Sequence, residues 1–150
     1  AGGEVESPAA RDYLKRALEA RRTDIARLVM SFVTPLELAR TTPVSAKRAP
    51  GESFELRLDD RAILRSFAKA SESRYEIELQ DADGEALVAP FESRPSGSTL
   101  SLKLSPELLD RNGYLIVRIR AVRGEVRAPR SVELHLRGNA ETAQVRGVRH

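Results

Sequence analysis

Hydrophobic positions along this chain follow two periods in succession, and the change between them organises everything that follows. In "SPAARDYLKRALEARR", Ala10, Tyr13, Leu14, Ala17 and Leu18 recur at three- and four-residue spacing, which places them on one helical face. Ser7 stands where a helix cap is needed, Pro8 suits the first helical position, and Asp12 lies near the positive end of the dipole. Arg11, Lys15, Arg16, Glu19, Arg21 and Arg22 cover the remaining surface. Thr23-Asp24 offers this helix a place to stop or restart.

From there the period shortens to two. "LVMSFVTPLELA" is rich in β-formers, and Pro35 within it predicts an edge strand or two short pieces. "SFELRL" puts Phe54, Leu56 and Leu58 on one face and Glu55 and Arg57 on the other. "RYEIELQ" sets Tyr75, Ile77 and Leu79 against Glu76 and Glu78, then runs into Asp83-Gly84, a hairpin signal with "EALVAPF" as the return strand. "TLSLKL" buries Leu100, Leu102 and Leu104, "NGYLIVRIRAVRG" buries Leu115, Val117, Ile119 and Ala121, and "SVELHL" buries Val132, Leu134 and Leu136. Such one-sided alternation belongs to antiparallel sheets with one wet face. Two helical interruptions are expected, "DDRAILRSFAKA" with Asp60 as cap and Ile63, Leu64 and Phe67 on one side, and "SPELLDRNG" with Ser105 as cap and Gly113 near its stop.

Roughly seven strands with turns between them predict an all-β, immunoglobulin-like antiparallel β-sandwich carrying an N-terminal α-helix. The pattern divides the chain into a leader and amphipathic helix over 1–30, the sandwich over 31–137, and a polar tail over 138–150 expected to be flexible.

Composition narrows the chemistry. At 150 residues the chain forms one domain with a core large enough to need no covalent staple. It has no cysteine, which excludes disulfides, thiolate catalysis and Cys-ligated zinc. The net charge of +3 is small beside 25 basic and 22 acidic residues, so charges are interspersed and no nucleic-acid partner is expected. No apolar run reaches the length of a membrane span. The sequence starts without methionine, which is the expectation for a fragment or processed product.

The candidate chemistry is sparse. His135 and His150 have no second imidazole at metal-ligand spacing, so no metal and no cofactor are expected. "DADGE" lacks the other ligands of a calcium loop and reads as a turn. There is no nucleophile elbow and no phosphate-binding glycine loop. With no tryptophan and three tyrosines, aromatic platforms for bases or sugars are poorly supplied. What remains is a row of outward cations. Arg118 and Arg120 share the wet face of one strand, and with Arg57, His135 and Arg137 they form a candidate anion-binding surface. The competing reading pairs the arginines with cross-strand glutamates, Glu133 on one neighbour and Glu76 or Glu78 on the other, and the patterning favours it. The N-terminal helix is the other candidate, either a juxtamembrane stem or a docking helix for a protein partner, or else a helix that closes one end or one face of its own domain.

In order, "TPLELARTTPVSAKRAPGESFELRLDD", "YEIELQDADGEALV", "TLSLKLSPELLDRNGYLIVRIRAV" and "SVELHL" form a pattern over roughly residues 34–137. It resembles the extracytoplasmic β-sandwich that follows the membrane span in many bacterial anti-sigma-factor-like proteins. The resemblance implies the outward-facing, non-enzymatic sensor half of a bacterial regulator, periplasmic or at the cell surface and tethered through a membrane segment outside this chain. It carries over no catalytic residue. The alternative expectation is an accessory module of a secreted enzyme or surface assembly, binding an anionic glycan or a protein through its arginines.

Overall fold

The computed structural model describes residues 7–39, 52–110, 113–139 and 143–150. The expected leader over 1–6, much of the polar turn before "FELRL" and Asn112 of the Asn-Gly turn lie outside the described residues.

The first helix, α1, runs from Pro8 to Phe32. Ser7 caps it as expected, its hydroxyl accepting from the Ala10 N–H at 3.2 Å. It does not stop at Thr23-Asp24. Leu28–Phe32, expected to begin a strand, completes the helix instead. No breaker stands between Asp24 and Phe32, and helix propagation continues until Thr34, whose helical conformation Pro35 disfavours.

Among the described residues nine strands follow: β1 Leu36–Leu38, β2 Phe54–Asp60, β3 Ser73–Gln80, β4 Phe91–Ser93, β5 Thr99–Leu104, β6 Tyr114–Arg123, β7 Val126–Arg127, β8 Val132–Gly138 and β9 Ala143–Arg149. One-turn helices α2 (Arg61–Leu64) and α3 (Glu107–Asp110) interrupt them, with a 3₁₀ turn over Ala70–Glu72. The smaller sheet has the order β1-β2-β5 and the larger β4-β3-β6-β8-β9, with β7 pairing β6. Every pairing is antiparallel.

Register explains the core. Between β2 and β5, Phe54 faces Leu104, Leu56 faces Leu102 and Leu58 faces Leu100. Between β3 and β6, Ile77 faces Ile119 and Leu79 faces Val117, and β8 extends the same layer by setting Leu136, Leu134 and Val132 against Leu115, Val117 and Ile119. All these side chains are buried in one cluster that both sheets share, a sandwich-like arrangement. Removing each from water contributes about 1.5–3 kcal/mol before entropy is counted.

Several connections differ from expectation. The turn over residues 81–84 forms, with Gly84 at φ +85°, but the return touches β3 only at the Gln80–Ala86 bridge before β4 begins at Phe91. Asp60 does cap α2, which ends after one turn and leaves Leu64 exposed. The tail is corrected: residues 143–149 form β9, hydrogen-bonded along β8. Its alternation is concealed by a register shift opposite His135 and Leu136, where one extra residue flips the parity between Val145 and Val148.

The Thr34 side chain fastens the entry to the sandwich. The buried Thr34 hydroxyl donates to the Arg130 carbonyl at 2.8 Å and accepts from the Ala121 N–H at 2.9 Å, both on the larger sheet's side. Two residues later, Leu36 pairs with Asp60 in the smaller sheet.

Candidate functional site

The wet face of the larger sheet carries the arginines singled out in the sequence, and register decides their company. Arg118 lies opposite Glu78 on β3 and Glu133 on β8. Its guanidinium donates to Glu133 through Nε at 3.0 Å and Nη2 at 2.8 Å, with Glu78 3.6 Å away. Arg120, opposite Glu76, instead donates to the Ala128 and Pro129 carbonyls at 3.3 Å each, while Glu76 takes Arg127 at 2.6 Å. Cross-strand acids therefore neutralise Arg118, while Arg120 is held by backbone carbonyls and its opposite acid is engaged by Arg127.

The other candidates do not complete an anion site. His135 Nδ1 is 2.8 Å from the Tyr114 hydroxyl, with its other nitrogen 3.7 Å from Glu133. Arg137 lies beside them at a shallow hollow of about 380 Å³ lined by Tyr114, Ile116 and His135. Arg57 is on the outer face of β2, in the other sheet, with Glu55 3.2 Å away. The fold brings Arg118, Arg120, His135 and Arg137 onto one face and separates Arg57 from them by the thickness of the core.

Beneath this surface is a polar cluster that the alternation pattern did not single out. Asp60 is fully buried at the end of β2. Its Oδ1 accepts from the N–H groups of Ala62 at 2.8 Å and Ile63 at 3.1 Å, which is the α2 cap. Its Oδ2 takes the Tyr75 hydroxyl from β3 and the Arg123 guanidinium from β6. Arg123 also donates to the Tyr75 oxygen at 3.3 Å, its guanidinium carbon 5.5 Å from the ring centroid. Burial first, and then the Asp60 carboxylate, raise the Tyr75 pKa well above that of a free phenol, against the opposing pull of Arg123. Desolvation works to lower the Arg123 pKa, but its contact with Asp60 outweighs this and holds it raised. A sequence signal for the cluster exists. Asp60 continues the inward parity of Phe54, Leu56 and Leu58, and Arg123 continues that of Val117, Ile119 and Ala121, so opposite charges face inward from two strands.

Chemically, the cluster holds itself closed. The carboxylate accepts four hydrogen bonds, which saturates it, and no lone pair is left for a proton-transfer role. Among the described residues no group of three or more His, Cys, Asp or Glu is placed to hold a metal ion.

The remaining surface of note is α1. None of its residues is buried, and Leu14, Leu18, Ile25, Leu28, Val29 and Phe32 are each more than half exposed. Ala26, Met30 and Val33 on another face line an open groove of about 870 Å³ against Leu36, Arg61 and Phe67. Among the described residues no helix is long and apolar enough to cross a membrane. A scan against protein-family models found no match, and a search of curated proteins found no relative.

Proposed function

We propose that this chain is a non-enzymatic interaction module whose contact surface is α1, presented by an immunoglobulin-like sandwich. The observation that carries the reading is the contrast between the two parts. The sandwich gathers its apolar residues into one shared core, with its exposed large ones dispersed as Leu64, Val88, Phe91, Val126 and Val148 over separate elements, whereas a 25-residue helix has no buried residue and lines up its exposed apolar side chains along one face. A helix earns most of its stability from packing an amphipathic face, so this exposed stripe implies a partner.

The immunoglobulin-like assignment is supported by the strand order. First, second and fifth strands form one sheet, and fourth, third, sixth and eighth follow one another in the other. That is the arrangement expected of a Greek-key sandwich, with the buried Tyr75 on the third strand filling the place a central aromatic takes in such folds. The resemblance over residues 34–137 adds the cellular setting: the outward-facing half of a bacterial membrane regulator, held outside the cytoplasm by a segment beyond this chain. The glycan-binding alternative retains only the hollow beside Tyr114, His135 and Arg137 in its support.

Photo-cross-linking in the native cell tests the proposal. A photoreactive residue at Leu18 is expected to trap protein, and one at Arg118 to trap none. Polysaccharide adducts at Arg118 with no protein adduct at Leu18 would overturn it in favour of the glycan reading.

A further inference from the structure

We propose that α1 pairs antiparallel with α1 of a second copy, making the protein a homodimer. The inference rests on the reading of α1 as the contact surface, and it names the partner.

Leu14, Leu18, Arg21, Ile25, Leu28 and Phe32 follow one another at alternating spacings of four and three, the repeat of a two-helix seam. The five apolar members of this row remain between 53% and 59% exposed. The row lies about 100° around the helix from Ala26 and Val33, which face the groove, so the molecule's own sandwich does not cover it. The seam and the stems of the neighbouring arginines, with Val29 shared between the seam's edge and the groove, offer on the order of 700 Å² per protomer, close to the roughly 800 Å² per partner of a standard interface.

Charge selects the direction. In a parallel pair Arg21 would face Arg21 of the second copy in the middle of an apolar seam, and the cost of burying like charges would fall where packing should be best. Reversing one helix sets Leu14 against Phe32 of the second copy, Leu18 against its Leu28, and Arg21 against its Ile25. Asp24 of the second copy then flanks Arg21, and symmetry repeats the pair. Asp24 is 3.4 Å from Arg27 of its own helix through Oδ1, which leaves Oδ2 for Arg21 of the second copy. An anionic membrane is the weaker occupant, because cations border the stripe on only one flank (Arg11, Lys15 and Arg22) while Ala17 and Asp24 border the other.

The test uses the whole chain, whose lack of cysteine makes introduced thiols unambiguous. Sedimentation equilibrium is expected to give twice the 16.6 kDa chain mass. Arg21→Asp should weaken the dimer roughly tenfold, and the added Asp24→Arg should restore most of the loss. On oxidation the double variant Leu14→Cys/Phe32→Cys should cross-link, and Leu14→Cys alone should not. A monomer at all concentrations, or a monomer that partitions onto phosphatidylglycerol vesicles, would overturn the pairing. Cross-linking by Leu14→Cys alone would overturn its direction. A monomer whose Leu18 still traps a different protein in cells would overturn the dimer and leave the interaction reading intact.

Discussion

The Tyr75 hydroxyl on the larger sheet donates to the Asp60 carboxylate at the end of the smaller one, so the two layers are joined by a polar contact at one end of a largely apolar core. Arg123 closes the same contact from β6 and neutralises the charge. Hydrophobic packing tolerates sliding between layers, whereas a carboxylate with four directed donors does not. The cluster therefore sets how the sheets are aligned.

Removing the shared acceptor should be the most damaging change to it. Asp60→Ala leaves a buried guanidinium and phenol without their carboxylate and uncaps α2, and is expected to cost about 3–5 kcal/mol. Tyr75→Phe removes one donor and leaves Asp60 its other three, and should cost about 1–2 kcal/mol. Urea unfolding of both variants measures the difference, and equal losses would show that the cluster is not centred on Asp60.

The same burial predicts a loss of stability in alkali. An unfolded tyrosine ionises near pH 10, and Tyr75 in the fold holds its proton to higher pH. Above about pH 10 the unfolded chain has lost a proton that the folded chain retains, so this contribution is complete below that pH and declines as pH rises. Thermal melts between pH 8 and 11.5 should show the decline in the wild type and a shallower one in Tyr75→Phe. Parallel curves would mean another group sets the alkaline limit.

Ser66 offers a gain. It sits just past α2 with φ +60°, where its N–H donates to the Ile63 carbonyl at 2.9 Å and the Phe67 N–H to the Ala62 carbonyl at 2.8 Å. That is a Schellman end, in which glycine avoids the strain a Cβ brings. Ser66→Gly should stabilise the fold by up to about 1 kcal/mol, raising Tm by about 2–4 °C.

Arg118 should matter little on its own. Its pairs with Glu133 and Glu78 are partly exposed, so Arg118→Ala is expected to cost less than about 1 kcal/mol. Retention of the protein on a polyanion resin should also be unchanged by the substitution. A marked drop in retention would return this face to consideration as a binding surface.

The sequence made the faces of β2, β3, β5, β6 and β8 legible because each has an uninterrupted two-residue period, and each buries the expected side. It misled at Leu28–Phe32, where β-forming residues continue a helix already under way, because local propensity is weaker than propagation. It concealed β9, since one bulge is enough to scramble an alternation seven residues long. The Arg118–Glu133 contact was readable as charge opposite charge on adjoining strands. For Asp60, Tyr75 and Arg123 the inward parity was readable strand by strand, but which of them meet was not, because that depends on how one sheet lies over another.

Thr34 carries a mechanical consequence. A pull transmitted down α1 reaches this residue before β1, and its hydroxyl bonds anchor the chain to the larger sheet just ahead of the point where Leu36 joins the smaller one. Tension from that side is thus met first by the larger sheet, and the β1–β2 pairing of the smaller one is loaded only once the Thr34 bonds give way.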